Sequence, residues 1–587
     1  METKNLFSRS RFASWKKLFS QIPRFYQKRR YSLGFLNATQ FLGVINDNIF
    51  KLSIAFLLID AIGKQHAASI LSAAGAIYVI PFLLFSSSAG ILADRFSKQK
   101  ILVFMKGAEI FIMLFALYAF GQKIEWACYT LLFLLATHSA MFGPSKYGII
   151  SELVSSDAIS RANGLITSFT YLAIIVGTFL ASFLTEVTDR NFFLVAVFCL
   201  LIAITGFVSC FGIARTPAQG SKKKINIFFV REIFHTLVFC RNEKFLLPAI
   251  FGSAYFLFIG AFTQLNIIPF ALQSLHLSEV AGGYLFLSTA LGIAFGSFVV
   301  GKLFKKKVEL GLSCLSGFGI TLLFFLLWLF SGGVVQVTVF LVAIGILGGV
   351  FIVPFDSFIQ LHSPAASRGQ VIAAANFLSF TGVLLASFAL YLFSQLFSLS
   401  SASGFALVGI VTLIVSFVLT IRLSEMTFPY FSRKILQPLL RFHPPVPSEL
   451  AKPSRILLVL TEATWSQALL LNGSISNLHF FLPPENKHCY PWFHSLFQSL
   501  HLLPIDLHKE DLLEIVAKAE KEKTIPCLFL DQDLPNHLLE SPNVFLDFFK
   551  KTSINIYFVS FHQRTLSSPY TYSLSKTPPQ KVMQFPL

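Results

Sequence analysis

Between residues 33 and 423 the chain runs through about twelve long apolar segments separated by short polar stretches. Segments such as 192–211 and 317–330 carry almost no polar residues at helical spacing, which a helix of a soluble protein needs on its water-facing side. About 20 apolar residues cross the hydrocarbon core as a helix. Lipid offers the backbone no hydrogen-bond partner, so backbone groups must be satisfied internally and runs of this length are helices rather than strands. The pattern predicts an all-α polytopic membrane protein with spans at 33–62, 67–90, 100–121, 125–143, 162–186, 191–213, 245–271, 280–301, 310–331, 333–354, 370–396 and 401–422.

Charge then orients the spans. A net charge of +18 in a soluble chain would point to nucleic acid; here the cations sit in alternate loops. One side holds Lys4, Arg9, Arg11, Lys16, Lys17, Arg24 and Lys28–Arg30, then Arg95, Lys98 and Lys100, then Lys146 and Arg161. The same side holds Arg215, Lys222–Lys224, Arg231, Arg241 and Lys244, then Lys302 and Lys305–Lys307, Arg368, Arg422, Arg433 and Lys434. The other side has little beyond Lys64, Lys123 and Arg190. Positive loops stay inside, so both termini are expected in the cytoplasm. The 1–32 tail is long and lacks the small-residue cleavage site of a signal peptide. Phe12, Trp15, Leu18, Phe19 and Ile22 among its cations suit a helix on the anionic inner leaflet, and a solvated tail fits as well.

The longest inside connection, 214–244, divides the spans into halves at 33–213 and 245–423. A repeat shows at one place. Gly90-Ile-Leu-Ala-Asp94-Arg95-Phe-Ser-Lys98 follows the second span, and Gly301-Lys302-Leu-Phe-Lys305 follows the eighth. Gly90 allows close helix approach, Asp94 can hold a neighbouring helix, and Arg95 and Lys98 stay at the headgroups. Gly301 stands where a second Asp would be, so the latch is expected to be one-sided. The 6+6 plan resembles the major facilitator superfamily, whose halves are structural repeats, and the Gly90–Lys100 loop resembles its signature G-x-x-x-D-R-x-x-x-[KR], with Gln99 at the last position between Lys98 and Lys100. That resemblance implies a twelve-helix fold with Gly90, Asp94, Arg95 and Lys98 serving the gate.

Composition changes past residue 423. The stretch 424–453 holds Pro429, Pro438, Pro444, Pro445, Pro447 and Pro453 and reads as a linker. In 454–565 the apolar runs 455–460, 478–482, 502–507, 525–530 and 554–558 alternate with helical stretches such as 509–523. This predicts a small cytoplasmic α/β domain. Residues 566–587 are rich in Ser, Pro and Lys and are expected to be disordered. The seven cysteines have no CxxC spacing, so neither a disulfide framework nor a metal site is expected. No phosphate-cradling loop or cofactor signature appears, so no cofactor is expected.

Four stretches narrow the resemblance. They are Asn46-Asp47-Asn48-Ile49-Phe50-Lys51, Phe142-Gly143-Pro144-Ser145-Lys146-Tyr147-Gly148-Ile149, Gly283–Leu287 with Ala290–Ile293, and Phe351-Ile352-Val353-Pro354. Together they resemble the lysophospholipid transporter family. They also resemble the transporter half of the 2-acylglycerophosphoethanolamine acyltransferase/acyl-[acyl carrier protein] synthetase fusion proteins. The resemblance covers about 33–400. It implies inward flipping of a lysophosphatidylethanolamine-like lipid across a bacterial inner membrane, followed by re-acylation inside. Beyond the cargo and membrane lipids, a separate acyltransferase or acyl-[acyl carrier protein] synthetase is the partner it allows; no nucleic acid is expected.

In the fusion proteins an acyltransferase domain follows the transporter, beginning with a strand and then Asn-His-x4-Asp. Here Leu458–Leu470 fits that frame with Glu462 at the His position and Gln467 at the Asp position. The chemistry needs a His to deprotonate the lysolipid hydroxyl and a carboxylate to orient it. The tail therefore resembles a degenerate, non-catalytic acyltransferase, and the chain is not expected to be an enzyme. His501 and Asp506 repeat the spacing, but in an apparent strand positions five apart face opposite sides.

Candidate cargo residues are the polar groups inside spans, which face a cavity or a partner because lipid exposure is costly. The first span carries Asn37, Gln40, Asp47, Asn48 and Lys51 near one stripe. Asp47 either attracts an ammonium headgroup or pairs with Lys51. Lys106 and Glu109 can pair, and His138 reads as a core histidine. Lys146 follows Pro144, where the helix is expected to break, and is a phosphate contact or an inner-leaflet anchor. Gln264 and Asn266 in the seventh span, with Asp356 and Gln360 just after the tenth, complete the set. The competing readings are a carrier of a small soluble solute, a transporter fused to an active acyltransferase, and a tail that docks a separate enzyme.

Overall fold

The computed structural model describes residues 29–63, 67–223, 229–277, 279–303 and 308–439, with strands at 456–461, 478–482, 503–504, 525–530, 555–562 and 571–575. Twelve described helices are long and apolar enough to cross a membrane. The first six are α1 (Arg29–Ile62), α2 (Ala67–Arg95), α3 (Lys98–Gly121), α4 (Glu125–Leu153), α5 (Ile159–Val187) and α6 (Phe192–Cys210). A shorter helix, α7 (Phe229–Asn242), lies within the 214–244 connection. The second six are α8 (Leu246–Ser274), α9 (Glu279–Leu303), α10 (Leu310–Leu329), α11 (Val334–His362), α12 (Arg368–Tyr391) and α13 (Ser401–Arg422).

Each expected span has its helix, and the differences lie at the ends. The 34 residues of α1 rise about 51 Å, more than the ~30 Å hydrocarbon core, so polar first turns such as Arg29 and Arg30 extend beyond the apolar pattern. The expected break at Pro144 and the expected span end at Pro354 do not occur. α4 runs through Pro144 to Leu153 and α11 runs through Pro354 to His362. Lys146 therefore sits on a helix, and Asp356 and Gln360 lie within the tenth span rather than after it. Neighbouring helices can hold a backbone whose ladder a proline interrupts. Another helix, α14 (Ser424–Phe431), occupies the start of the expected proline linker, with Pro429 inside it.

Lipid removes the usual hydrophobic drive between helices, so close packing of small residues does that work. Gly292 on α9 meets Gly345 on α11, Gly296 packs on the Ile346 backbone and Gly349 on that of Ile293 and Ser297; a Cβ on Gly345 would come within 2.1 Å of the Thr289 carbonyl oxygen. Gly164 on α5 meets Gly301 on α9 across the two halves. In the first half, Phe50, Leu132, Met113 and Cys199 belong to one buried apolar cluster.

The strands belong to a separate compact unit. They are β1 (Ile456–Thr461), β2 (Leu478–Leu482), β3 (Leu503–Pro504), β4 (Ile525–Leu530), β5 (Asn555–His562) and β6 (Thr571–Ser575). They form one sheet in the order β3-β2-β4-β1-β5-β6. All neighbours are parallel except β5 and β6. β6 falls in the stretch expected to be disordered; the Tyr-Thr-Tyr-Ser-Leu run there has strand character and finds the open edge of β5. Glu462, Gln467, His501 and Asp506 lie outside the described residues, as does the basic tail before Arg29.

Candidate functional site

A cavity of about 510 Å³ is lined by residues of both six-helix halves, within the size range of small-molecule sites. α1 contributes Gln40, Asp47, Asn48 and Lys51, and α4 contributes Lys146. Gln264 comes from α8, and Asp356 and Gln360 from α11. Two sequence candidates lie off it. Asn37 is buried elsewhere along α1, and Asn266 donates to the Ser401 carbonyl oxygen at 2.8 Å, tying α8 to α13.

The α1 charges do not pair. Among the described residues no ion pair within 4 Å joins Asp47 to Lys51. Instead the Ser139 hydroxyl donates to Asp47 Oδ2 at 2.9 Å, while Asp47 Oδ1 is buried without a hydrogen-bond partner. Lys51 Nζ lies 5.3 Å from the centre of the Tyr78 ring. The four-residue offset permits contact, but Ser139 and Tyr78 hold the two groups apart. Across the cavity, Ser253 donates to Asp356 Oδ1 at 2.8 Å. Lys146 Nζ sits 4.2 Å from the Tyr147 ring centre, within electrostatic reach of both Asp47 and Asp356.

Lys106 and Glu109 do pair, at 2.6 Å, and both are buried. Asn46 donates to the other Glu109 oxygen at 2.7 Å, and His138 Nε2 lies 3.8 Å from Glu109. Glu109 thus offsets Lys106. The cavity is left with two carboxylates, Asp47 and Asp356, and two ammonium groups, Lys51 and Lys146. A balanced but spatially separated charge set suits a zwitterion better than an ion of either sign.

The end of the bundle that carries the basic loops is closed. Asp94 is fully buried and caps the first turn of α12: it accepts from Gly369 N at 2.6 Å, Gln370 N at 3.0 Å and Gln370 Nε2 at 3.1 Å. An anion here also meets the positive end of the helix dipole. Gly90 permits the approach, since a Cβ on it would come within 2.7 Å of the Gly369 carbonyl oxygen. Lys98 pairs with Glu152 at 2.6 Å, and the Arg95 guanidinium donates to the Lys223 carbonyl. In the second half Gly301 makes a backbone approach to Gly164 rather than a charged latch.

A second closure was missed in the sequence. Asn163 on α5 and Gln360 on α11 exchange amide hydrogen bonds of 2.8 and 3.2 Å, and Asn163 also donates to Ser357 at 3.2 Å. Gln360 therefore lines the cavity and joins the halves at once. Ser139, Ser253, Tyr78 and Asn163 were all missed because isolated polar residues on long apolar helices carry no motif. Asn163 lies one residue before Gly164, and that contiguity of a small and an amide residue was the available signal.

The sequence profile described as Major Facilitator Superfamily matches residues 36–387. A lysophospholipid transporter of Citrobacter koseri is 25% identical over 349 residues, covering 58% of this chain and 82% of its own length. One from Enterobacter sp. is 26% identical over 382 residues, covering 64% and 90% respectively. The crystal structure of the human organic anion transporter MFSD10 superposes with a TM-score of 0.53 at 13% identity, covering 67% of this chain and 99% of that one; this likeness concerns the fold alone.

Proposed function

The chain belongs to the major facilitator superfamily, and from that membership we propose that it flips a lysophospholipid, of the lysophosphatidylethanolamine type, inward across a bacterial inner membrane. The observation that carries this reading is the cavity: two carboxylates and two ammonium groups, none of them in an ion pair among the described residues, held between the halves. Asp47, with one free oxygen, meets the headgroup ammonium, and Lys146 meets the phosphate. Gln40, Asn48, Lys51, Gln264, Asp356 and Gln360 supply the remaining polar wall. A phosphate cannot cross bare hydrocarbon, so the headgroup travels inside protein while the single acyl chain remains in lipid. Relatives named for lysophospholipid transport, matched over most of their own length, support the cargo.

The two halves rock about the cavity in alternating access. Asp94 with Gly369 and Gln370, and Asn163 with Gln360, release for the basic end to open. That end faces the cytoplasm, following the loop charges. The region from 454 through β6 serves as a non-catalytic acyltransferase-like α/β domain: Glu462 and Gln467 stand where a base and its orienting carboxylate would be needed. Re-acylation then falls to a separate cytoplasmic enzyme. Uptake of labelled lysophosphatidylethanolamine into cells lacking their own transporter tests the reading. Uptake that vanishes in Asp47→Ala at normal expression is expected; a well-inserted protein that moves only soluble solutes would overturn it.

A further inference from the structure

The α7 helix within the inter-half connection has three faces. Ile233, Thr236 and Cys240 are buried, at offsets of three and four that make one helical stripe. That stripe packs toward α2, α8 and α12. Beside it, Val230, Phe234 and Val238 repeat every fourth residue and are exposed to 58%, 64% and 47%. Alongside it Arg231 and His235 are exposed, with Phe239 beyond them at 40%, and Asn242 continues the every-fourth line as a polar end. Arg241 in the last turn and Lys244 just beyond are exposed as well.

A helix in water would not present a large apolar stripe opposite nothing. This one lies at the basic ends of spans, where hydrocarbon gives way to headgroups. An apolar stripe flanked by cations at that level is how an interfacial helix meets a bilayer surface. The charge selects the lipid: Arg231, Arg241 and Lys244 complement anionic headgroups rather than zwitterionic ones. The helix is also tied to the latch. Lys223 Nζ pairs with Glu232 on α7 at 2.7 Å and donates to Gln370 Oε1 at 2.8 Å, and Gln370 holds Asp94.

We propose that α7 is a docking site for anionic phospholipid of the surrounding bilayer, with Val230, Phe234 and Val238 facing acyl chains and Arg231, Arg241 and Lys244 facing the phosphates. Lipid held there braces the closed basic end through Lys223. This site is distinct from the cavity, and its occupant is a lipid of the bilayer rather than the cargo.

The test is lipid retention by the full chain purified in detergent, offered equal phosphatidylglycerol and phosphatidylcholine and read by native mass spectrometry; no cargo is involved. The intact protein keeps phosphatidylglycerol preferentially. Arg231→Gln, Arg241→Gln and Lys244→Gln each weaken that retention about fivefold, and Arg231→Lys restores it. Phe234→Ser with Val238→Ser weakens it with all charges in place. Lys100→Gln, an exposed cation in the first turn of α3, changes nothing. Melting temperature is followed throughout; should a combined variant unfold, the single substitutions decide. Equal retention of both lipids by the intact protein, or an equal loss from Lys100→Gln, would overturn the proposal.

Discussion

Replacing Asp94 by Asn should open the basic end of the molecule. The carboxylate accepts three hydrogen bonds at the start of α12, at 2.6, 3.0 and 3.1 Å. An amide keeps one acceptor oxygen and turns an NH₂ toward the donors the other oxygen served. Hydrogen bonds to charged groups contribute about 1.5–3 kcal/mol each, and an anion at a helix N-terminus adds roughly 0.3–1 kcal/mol. Losing one such bond and the dipole interaction removes about 3 kcal/mol from the closed state. That is roughly a hundredfold in the closed-to-open ratio, enough to bring a closed state populated near 99% to parity. Spin labels at Asp157→Cys in the first half and Ala366→Cys in the second, both exposed, report the separation by electron–electron resonance once Cys489 and Cys527 are changed to Ser. The intact latch gives one short distance, and Asp94→Asn adds a longer population of comparable size. A folded Asp94→Asn protein with the distance distribution of the parent would refute the latch.

Other consequences follow from buried groups. Lys106→Met or Glu109→Leu alone strands a buried charge and should cost about 3–5 kcal/mol, seen as a lower melting temperature; the double substitution should recover most of it. Gly345→Val should abolish folded yield, because even a Cβ there meets the Thr289 carbonyl oxygen at 2.1 Å, whereas Gly283→Ala, with nothing within 4 Å, should not; comparable monodisperse yields of both would contradict the packing. Purified full-length protein given lysolipid and an acyl thioester should form no diacyl product, and turnover would assign the C-terminal region a catalytic role.

The bilayer made most of the fold legible. Runs of about 20 apolar residues and alternating loop charge are enforced by lipid everywhere along the chain, so each span could be read without a partner. Asp94 was legible because Gly90, Asp94 and Arg95 have the spacing of the superfamily's loop signature. Pro144 and Pro354 misled, since a proline's local cost is visible in sequence while the neighbouring helices that absorb it are not. Asp47 and Lys51 misled in a related way: spacing shows what can touch, and Ser139 and Tyr78, distant in sequence, decide what does. The Asn163–Gln360 bridge joins residues 197 apart, and no local pattern encodes such a pairing. The amphipathic α7 was hidden inside a segment whose charge alone marked it as a connection.

The proposed path of a zwitterionic lysolipid headgroup runs between the two halves. Purified protein in sealed vesicles, loaded in both leaflets with lysophosphatidylethanolamine labelled on its acyl chain so that the headgroup ammonium stays intact, allows the exchange to be followed by a membrane-impermeant quencher. The protected inner-leaflet label is expected to become accessible at a rate proportional to protein, and Asp47→Ala to abolish this at equal reconstitution. Label that stays protected with the folded, unsubstituted protein present would contradict it.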